Sequence, residues 1–181
     1  NMGLGDVVVV NAMDRAFERA RLPCADATVV GCATQNTATA SFVLREDALV
    51  FRANEQCLRF LPRHQLGAGA GPRLLGDHNV LNALMASAAA RAAGVSFDDI
   101  SKGLATFVPA PHRLQDVGSV AGVRFIDDSK ATNPHAALAG LRAVDKPDGG
   151  KLVWIGGGSD KDADFGWIGA ALAVKADAVE I

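Results

Sequence analysis

Hydrophobic residues in this chain form short runs separated by polar and turn-forming residues, a pattern typical of an α/β protein. The first run, residues 6–11, is almost entirely valine and predicts a strand buried on both faces, as in a parallel sheet. Further short strands are predicted at residues 27–32, 41–44 and 48–51. The polar residues 45–47 between the last two strands indicate an antiparallel hairpin.

Helical patterns alternate with these strands. A short helix is predicted at residues 14–21, and the clearest one runs over residues 79–93 and ends at Gly94, a residue suited to a helix C-terminus. Ser96, followed three residues later by an aspartate, predicts the start of another helix that reaches about residue 106. Two prolines follow within residues 108–111 and cannot continue a helix, so we predict domains at residues 1–110 and 111–181.

The second domain repeats the alternation of strands and helices. Paired strands are predicted at residues 112–117 and 123–126, with a Gly118-Ser119 turn and Gly122 between them. The predicted elements after them are a crossover helix at 135–144, a buried strand at 151–155, a helix at 165–174 and a strand from 178.

Composition narrows the class of protein. Lysine and arginine number 18 against 20 acidic residues, and no basic run is present, so the charge pattern indicates no nucleic acid or anionic membrane as partner. No apolar segment approaches the roughly 20 residues that span a bilayer, and we expect a cytoplasmic protein. Three cysteines without a Cys-x-x-Cys pair predict reduced, buried thiols, and four histidines without ligand spacing predict no metal site.

Residues 127–134, Asp-Asp-Ser-Lys-Ala-Thr-Asn-Pro, crowd charged and polar side chains into one loop between a strand and a helix. Open α/β sheets bind ligands at this end of their strands. Asn133 suits the helix N-cap and Pro134 the first helical position, so the free N–H groups of the helix and Lys130 would attract a carboxylate or a phosphate. Alternatively, the two aspartates are solvated at the strand end and Lys130 pairs with one of them.

Two other stretches carry candidate chemistry. Residues 156–158 are three glycines after a strand, but aspartates flank Lys161, so neither the Walker nor the dinucleotide pattern fits. The glycines can bring the backbone close to a ligand and Lys161 can add a second cation, or that lysine is an exposed turn residue. Asn79 and Asn82 lie three residues apart on one helix face; alternatively, Asn79 is an N-cap and Asn82 a solvated side chain.

The 127–134 stretch resembles the Asp-Ser-Lys-Ala-Thr-Asn signature of the Mur ligases, in the branch that adds D-glutamate to UDP-N-acetylmuramoyl-L-alanine during peptidoglycan synthesis. Residues 76–82, 111–113 and 156–161, and the Asp-Phe pair at 164–165, agree with the family in order and approximate spacing. The resemblance implies that residues 1–110 are the tail of a central ATPase domain, with a parallel strand, a small antiparallel sheet and helices. Residues 111–181 would be a truncated Rossmann-like C-terminal domain.

The resemblance also implies site residues. Four match positions that hold the nucleotide in that family: Asn79, Asn82, Arg113 and Asp128. Three match positions that contact D-glutamate: Lys130, Thr132 and Lys161. No catalytic or metal-binding residue is expected within these 181 residues, because the phosphate loop and the ligands of the magnesium ions would lie outside them. The chain alone should therefore be inactive.

The resemblance implies an ADP-forming amide ligase with ATP and Mg²⁺ as cofactors. Its substrates would be UDP-N-acetylmuramoyl-L-alanine, D-glutamate and ATP, and the ligation would pass through an acyl phosphate. We expect a monomer with a role in cell-wall biogenesis, cell shape and cell division. The alternatives are a sister Mur ligase, an enzyme like folylpolyglutamate synthase, or a non-catalytic nucleotide-binding module.

Overall fold

The computed structural model describes residues 4–14, 26–35, 37–68, 76–146, 148–158 and 165–180. These residues belong to two compact units, Asn1–Val108 and Pro109–Ile181. Apart from Asp14, the helix predicted at residues 14–21 lies outside the described residues. Each unit contains strands and helices, so the predicted α/β class is confirmed.

A five-stranded sheet forms the first unit, with its strands side by side in chain order. The strands are β1 (Val7–Asn11), β2 (Thr28–Ala33), β3 (Phe42–Arg45), β4 (Ala48–Ala53) and β5 (Gln56–Pro62). The first three strands are parallel to one another, β4 pairs antiparallel with β3, and β5 pairs antiparallel with β4. The run of valines in β1 pairs with β2 in a parallel ladder, as its composition predicts.

Two tight turns build the antiparallel part of this sheet. Glu46 and Asp47 have φ angles of 49° and 55° and join β3 to β4, which confirms the predicted hairpin. Two consecutive positive φ angles match the right-handed twist of the flanking strands. Strand β5 was not predicted from the sequence; it follows a second turn at Asn54, whose φ is 55°, and most of its residues are exposed. Strand β5 lies at the edge of the sheet, and Gln56 and Arg59 interrupt its apolar residues, so the sequence has no continuous apolar run to mark it.

Two helices complete the first unit, α1 (Asp77–Ala92) and α2 (Phe97–Thr106). The predicted stop at Gly94 is confirmed: its φ is 88°, its N–H bonds to Arg91, and the N–H of Val95 bonds to Ala90. These are the two hydrogen bonds of a Schellman motif. The predicted start of α2 at Ser96 is also confirmed, because Ser96 Oγ accepts from the N–H of Asp99 at 3.1 Å.

The core of the first unit lies between α1 and the sheet. Val80 and Leu84 of α1 are almost fully buried with Phe42 and Leu49 of the sheet. Four phenylalanine rings pack around this core with centroid distances of 5.0–6.3 Å; they are Phe42, Phe51, Phe60 and Phe97. These contacts anchor both helices on one face of the sheet.

The second unit contains two small sheets and two helices. Its elements are β6 (Gln115–Val120), β7 (Val123–Asp127), α3 (Pro134–Ala143), β8 (Val153–Ile155), α4 (Gly166–Lys175) and β9 (Ala178–Glu180). Strands β6 and β7 are antiparallel, whereas β8 and β9 are parallel. Leu141 of α3 packs with Ile168 and Leu172 of α4, and the rings of Trp154 and Trp167 border this cluster.

The hairpin of the second unit differs from the sequence prediction. Its turn is at Ala121 and Gly122, with φ angles of 49° and 80°, and not at residues 118–119. Gly118 lies within β6 beside a shift in register, where its N–H donates to Asp116 Oδ1 at 3.0 Å. A glycine at φ 120° therefore serves a bulge here, which the sequence pattern did not distinguish from a turn.

The two cysteines in the described part of the chain differ in burial. Cys32 is buried, and its burial raises the pKa of the thiol to about 12. Cys57 is exposed, so the expectation of buried thiols is wrong there, and Cys24 lies outside the described residues.

Within the described part of the chain, no helix combines the length and the apolar character that a membrane crossing requires.

The burial of Leu84 makes a prediction about stability. Leu84→Ala should lower the free energy of unfolding of the chain by about 3–5 kcal/mol, because it leaves a cavity under α1. Leu58, which is 45% exposed on β5, provides the control, and Leu58→Ala should cost less than about 1 kcal/mol. Urea denaturation of both variants measures the difference, and equal losses would contradict this account of the core.

Candidate functional site

The candidate site is the loop between β7, which ends at Asp127, and α3, which begins at Pro134. Asn133 has an extended backbone and its Oδ1 accepts from the N–H of Ala136 at 2.9 Å, so the predicted N-cap is confirmed. Pro134 occupies the first turn and needs no hydrogen-bond partner for a backbone N–H. The remaining N–H groups at this helix start give the loop a positive electrostatic environment.

Part of this loop, residues 127–130, is hydrogen-bonded to residues 112–114, which we call the 112–114 segment. The N–H of Lys130 donates to the carbonyl of His112 at 3.1 Å. The N–H of Leu114 donates to Asp128 Oδ1 at 3.0 Å, and His112 Nδ1 lies 2.7 Å from Asp127 Oδ2. Each of the two adjacent carboxylates therefore holds one end of the 112–114 segment.

Asp127 uses both carboxylate oxygens. Its Oδ2 faces His112, while its Oδ1 accepts from the N–H of Ser129 at 2.9 Å. The hydrogen bond from His112, followed by that from Ser129, lowers the pKa of the Asp127 carboxyl from 3.8 to about 2. The role of the 127–112 pair was not predicted from the sequence, because 15 residues separate its members.

The 112–114 segment has an unusual backbone. His112 and Leu114 have φ angles of 67° and 47°, in the left-handed region that L-residues other than asparagine, aspartate and histidine rarely adopt. The N–H of His112 donates to Gln115 Oε1 at 2.9 Å, and the side chain of Leu114 is buried. The strand predicted from residue 112 therefore begins only at Gln115, since these angles are incompatible with a strand. Arg113, between the two left-handed residues, is exposed.

Asp128 is half-buried against α3. A Cβ atom added at Gly140 would clash with Asp128 Oδ2, so a glycine is required where the carboxylate approaches the helix. The carbonyl of Asp128 also accepts from the N–H of Ala131 at 2.8 Å. The predicted nucleotide-binding aspartate thus also organises the loop.

The other predicted residues of the loop project outward. The side chains of Lys130 and Thr132 are exposed, as is that of Arg113. The side-chain contacts of Asp127 within the described residues are with His112 and Ser129, and not with Lys130. Two cations and a hydroxyl are therefore presented on a backbone that internal hydrogen bonds hold in place.

Asn79 and Asn82 lie near the start of α1, in the first unit. The helix begins at Asp77 with Gly76 as its N-cap, so Asn79 is a helical residue and not the N-cap. Asn79 is half-buried and Asn82 is exposed. Arg63 pairs with Asp77 at 2.8 Å beside the same helix start.

Two of the glycines at residues 156–158 are required for different structural reasons. A Cβ atom at Gly156 would clash with the indole of Trp154, whereas Gly158 has a φ of 120° that favours glycine. The first glycine therefore accommodates the indole of Trp154. Lys161, the predicted second cation, lies outside the described residues. Across the described ranges, no three histidine, cysteine, aspartate or glutamate side chains are grouped to hold a metal ion.

Sequence comparison identifies relatives of the chain. Residues 112–181 match the profile described as Mur ligase, glutamate ligase domain. UDP-N-acetylmuramoylalanine-D-glutamate ligase from Thermobifida fusca is 39% identical over 164 residues, which cover 90% of this chain and 34% of that protein. The enzyme of the same name from Mycolicibacterium smegmatis is 41% identical over 157 residues, covering 86% and 30%. The chain thus spans about a third of the length of these relatives.

Structural comparison gives the same fold. A bifunctional folylpolyglutamate synthase/dihydrofolate synthase matches 98% of this chain and 39% of its own, with a TM-score of 0.63 and 22% identity. MurF from Acinetobacter baumannii matches 96% of this chain and 42% of its own, with a TM-score of 0.61 and 23% identity. At this level of identity the two structures show a shared fold.

The lowered pKa of Asp127 predicts how stability depends on pH. Its folded value of about 2 lies below 3.8, so the folded chain binds fewer protons at this group between these pH values. The stabilising contribution is complete above pH 3.8 and is lost as the pH falls towards 2. Unfolding free energies from urea titrations at pH 5, 4 and 3 should therefore fall more steeply for the native sequence than for Asp127→Asn. Parallel curves would contradict the assigned hydrogen bonds.

Proposed function

Because the chain belongs to the Mur ligase family, we propose that the protein containing it adds D-glutamate to UDP-N-acetylmuramoyl-L-alanine and forms ADP. The observation that carries this proposal is the 39% identity over 90% of the chain to a ligase named for that reaction. The loop geometry supports it, because Lys130 and Thr132 are exposed beside a capped helix start. ATP would phosphorylate the muramoyl-alanine carboxylate, and the amine of D-glutamate would displace the phosphate.

D-glutamate carries two carboxylates, so its site needs at least two groups that attract anions. We assign Lys130 to one of them, since a charge-assisted hydrogen bond to a carboxylate is among the stronger polar contacts. The hydroxyl of Thr132 can donate to the same substrate, and the N–H groups at the start of α3 favour negative charge. Lys161 is assigned as the second cation.

The nucleotide contacts are proposed separately for each unit. In the second unit, Arg113 would offset phosphate charge, and Asp128 would accept from ribose hydroxyls. In the first unit, Asn79 and Asn82 would meet the adenine, because an amide offers both a donor and an acceptor. Magnesium would be held by residues outside this chain and would stabilise charge on the transferring phosphoryl group.

The same proposal covers the cellular setting. The first unit would be the tail of a central ATP-binding domain and the second a C-terminal domain of the ligase. The whole enzyme would act as a cytoplasmic monomer on small-molecule substrates in peptidoglycan synthesis, and so contribute to cell shape and cell division.

Replacement of Lys130 tests its role in substrate binding. In the full-length protein, Lys130→Ala should raise the KM for D-glutamate about 10- to 100-fold, the loss expected for a hydrogen bond to a charged group. The KM for ATP should change by less than about 3-fold, because the nucleotide contacts are assigned to other side chains. Lys102, an exposed lysine of α2, provides the control, and Lys102→Ala should leave both constants unchanged. Equal effects of Lys130→Ala on both substrates would contradict the assignment.

Acceptor preference tests the reaction itself. The full-length protein should release ADP with UDP-N-acetylmuramoyl-L-alanine only when D-glutamate is supplied, and not with L-glutamate, L-lysine or a D-alanyl dipeptide. Coupled ADP-release assays with each acceptor measure this. Preference for L-glutamate would favour the alternative of an enzyme like folylpolyglutamate synthase. Preference for another amino acid would favour the alternative of a sister Mur ligase. Absence of ADP release with every acceptor would favour the non-catalytic module.

A further inference from the structure

The two exposed cations of the loop region are carried by backbones that are bonded to each other. Arg113 lies in the 112–114 segment, and Lys130 lies in the loop to which that segment is hydrogen-bonded. We propose that His112 and Asp127 are positioning residues, and that their side-chain contact sets the spacing between Arg113 and Lys130. This inference rests on the proposed function, in which Arg113 binds the nucleotide and Lys130 binds D-glutamate.

His112 connects three parts of the unit. Its N–H donates to Gln115 Oε1 at the start of β6, and its carbonyl accepts from the N–H of Lys130. Its ring meets Asp127 at the end of β7 at 2.7 Å. A change at this single residue would therefore loosen the segment that carries Arg113 and the loop that carries Lys130 together.

The backbone geometry makes such contacts necessary. His112 and Leu114 have φ angles of 67° and 47°. L-residues favour negative φ angles, so both residues would relax to negative φ if nothing held them. If either residue relaxed, the peptide groups on both sides of Arg113 would turn and the guanidinium would move. Hydrogen bonds from outside the segment oppose this relaxation.

The side-chain contact distinguishes His112 from other residues. The bonds through its N–H and carbonyl are available to any amino acid except proline, whereas the bond to Asp127 requires a donor near the position of Nδ1. The His112 side chain is 53% exposed and that of Asp127 is 29% exposed. Solvent screens such a pair, which reduces its contribution to global stability but leaves its effect on the local geometry of the segment and the loop.

Asp127 extends the same constraint to the loop. Its second oxygen accepts from the N–H of Ser129, directly before Lys130. One carboxylate thus fixes the histidine that precedes Arg113 and the turn that leads to Lys130. The next carboxylate, Asp128, contacts Leu114 and α3 in a similar way, but it is also proposed to bind the nucleotide, so a change there would not separate positioning from binding.

Substitution of His112 by glycine or by asparagine separates its positive φ angle from its side-chain hydrogen bond to Asp127. Both accept a positive φ, but only asparagine places an amide nitrogen near the position of Nδ1. In the full-length protein, His112→Gly should raise the KM values for ATP and for D-glutamate together, by about 10-fold each, because both cations lose their fixed spacing. His112→Asn should restore both constants to within about 3-fold of the native values.

Asp127 provides the reciprocal test. Asp127→Ala should raise both KM values as His112→Gly does, and the double variant should be no worse than the more affected single variant, since the two residues act through one contact. Additive losses in the double variant would contradict a shared contact. The melting temperature of each variant is recorded alongside to identify any that do not fold.

The outcomes separate this inference from the proposed function. If His112→Gly lowers the melting temperature but changes neither KM, the pair is structural only and the inference is overturned. If His112→Asn is as impaired as His112→Gly, the side-chain bond is not the cause and the inference is also overturned. If the native protein ligates no D-glutamate, the proposed function fails. The positioning role can still be tested, because the NMR signals of the Arg113 and Lys130 side chains should shift in His112→Gly and return to their native positions in His112→Asn. Unchanged signals in His112→Gly would overturn the positioning role.

Discussion

The second unit depends on one constraint: the segment before β6 and the loop after β7 are held to each other by hydrogen bonds. Asp127 and Asp128 supply the side-chain acceptors, and the carbonyl of His112 supplies a backbone acceptor for Lys130. Without these bonds, the left-handed angles at His112 and Leu114 would have little to maintain them. These hydrogen bonds position the backbone that carries the exposed side chains of the loop.

This arrangement explains why two adjacent aspartates follow β7. At a strand end, two carboxylates side by side repel each other unless nearby donors offset their charge. Here the donors are the His112 ring and the backbone N–H groups of Leu114 and Ser129, and the low pKa of Asp127 is a direct consequence. Lys130 is then not needed to neutralise Asp127. Its charge remains available to an anionic substrate, which is the property that the proposed ligase reaction requires.

Local signals made much of the structure predictable from the sequence. The cap at Asn133, the Schellman motif at Gly94 and the valine-rich strand β1 each depend on residues close together in the chain. Three features were missed or misplaced: β5, the turn at residues 121–122, where two glycines offered alternative turns, and the bond between residues 112 and 127, which are distant in the chain. The family resemblance identified the exposed cations Arg113 and Lys130, whereas the groups that hold their backbones became evident only from the structure.

In the proposed function, a hydrogen-bonded loop presents Lys130 and Thr132 to D-glutamate. A crystal structure of the full-length protein with ADP and the D-glutamylated product would show whether it does. We expect Lys130 Nζ and Thr132 Oγ1 to lie within hydrogen-bonding distance of the carboxylates of the glutamyl group, with the bond between the Lys130 N–H and the His112 carbonyl retained. A glutamyl group bound away from both side chains, or a loop released from the 112–114 segment, would contradict it.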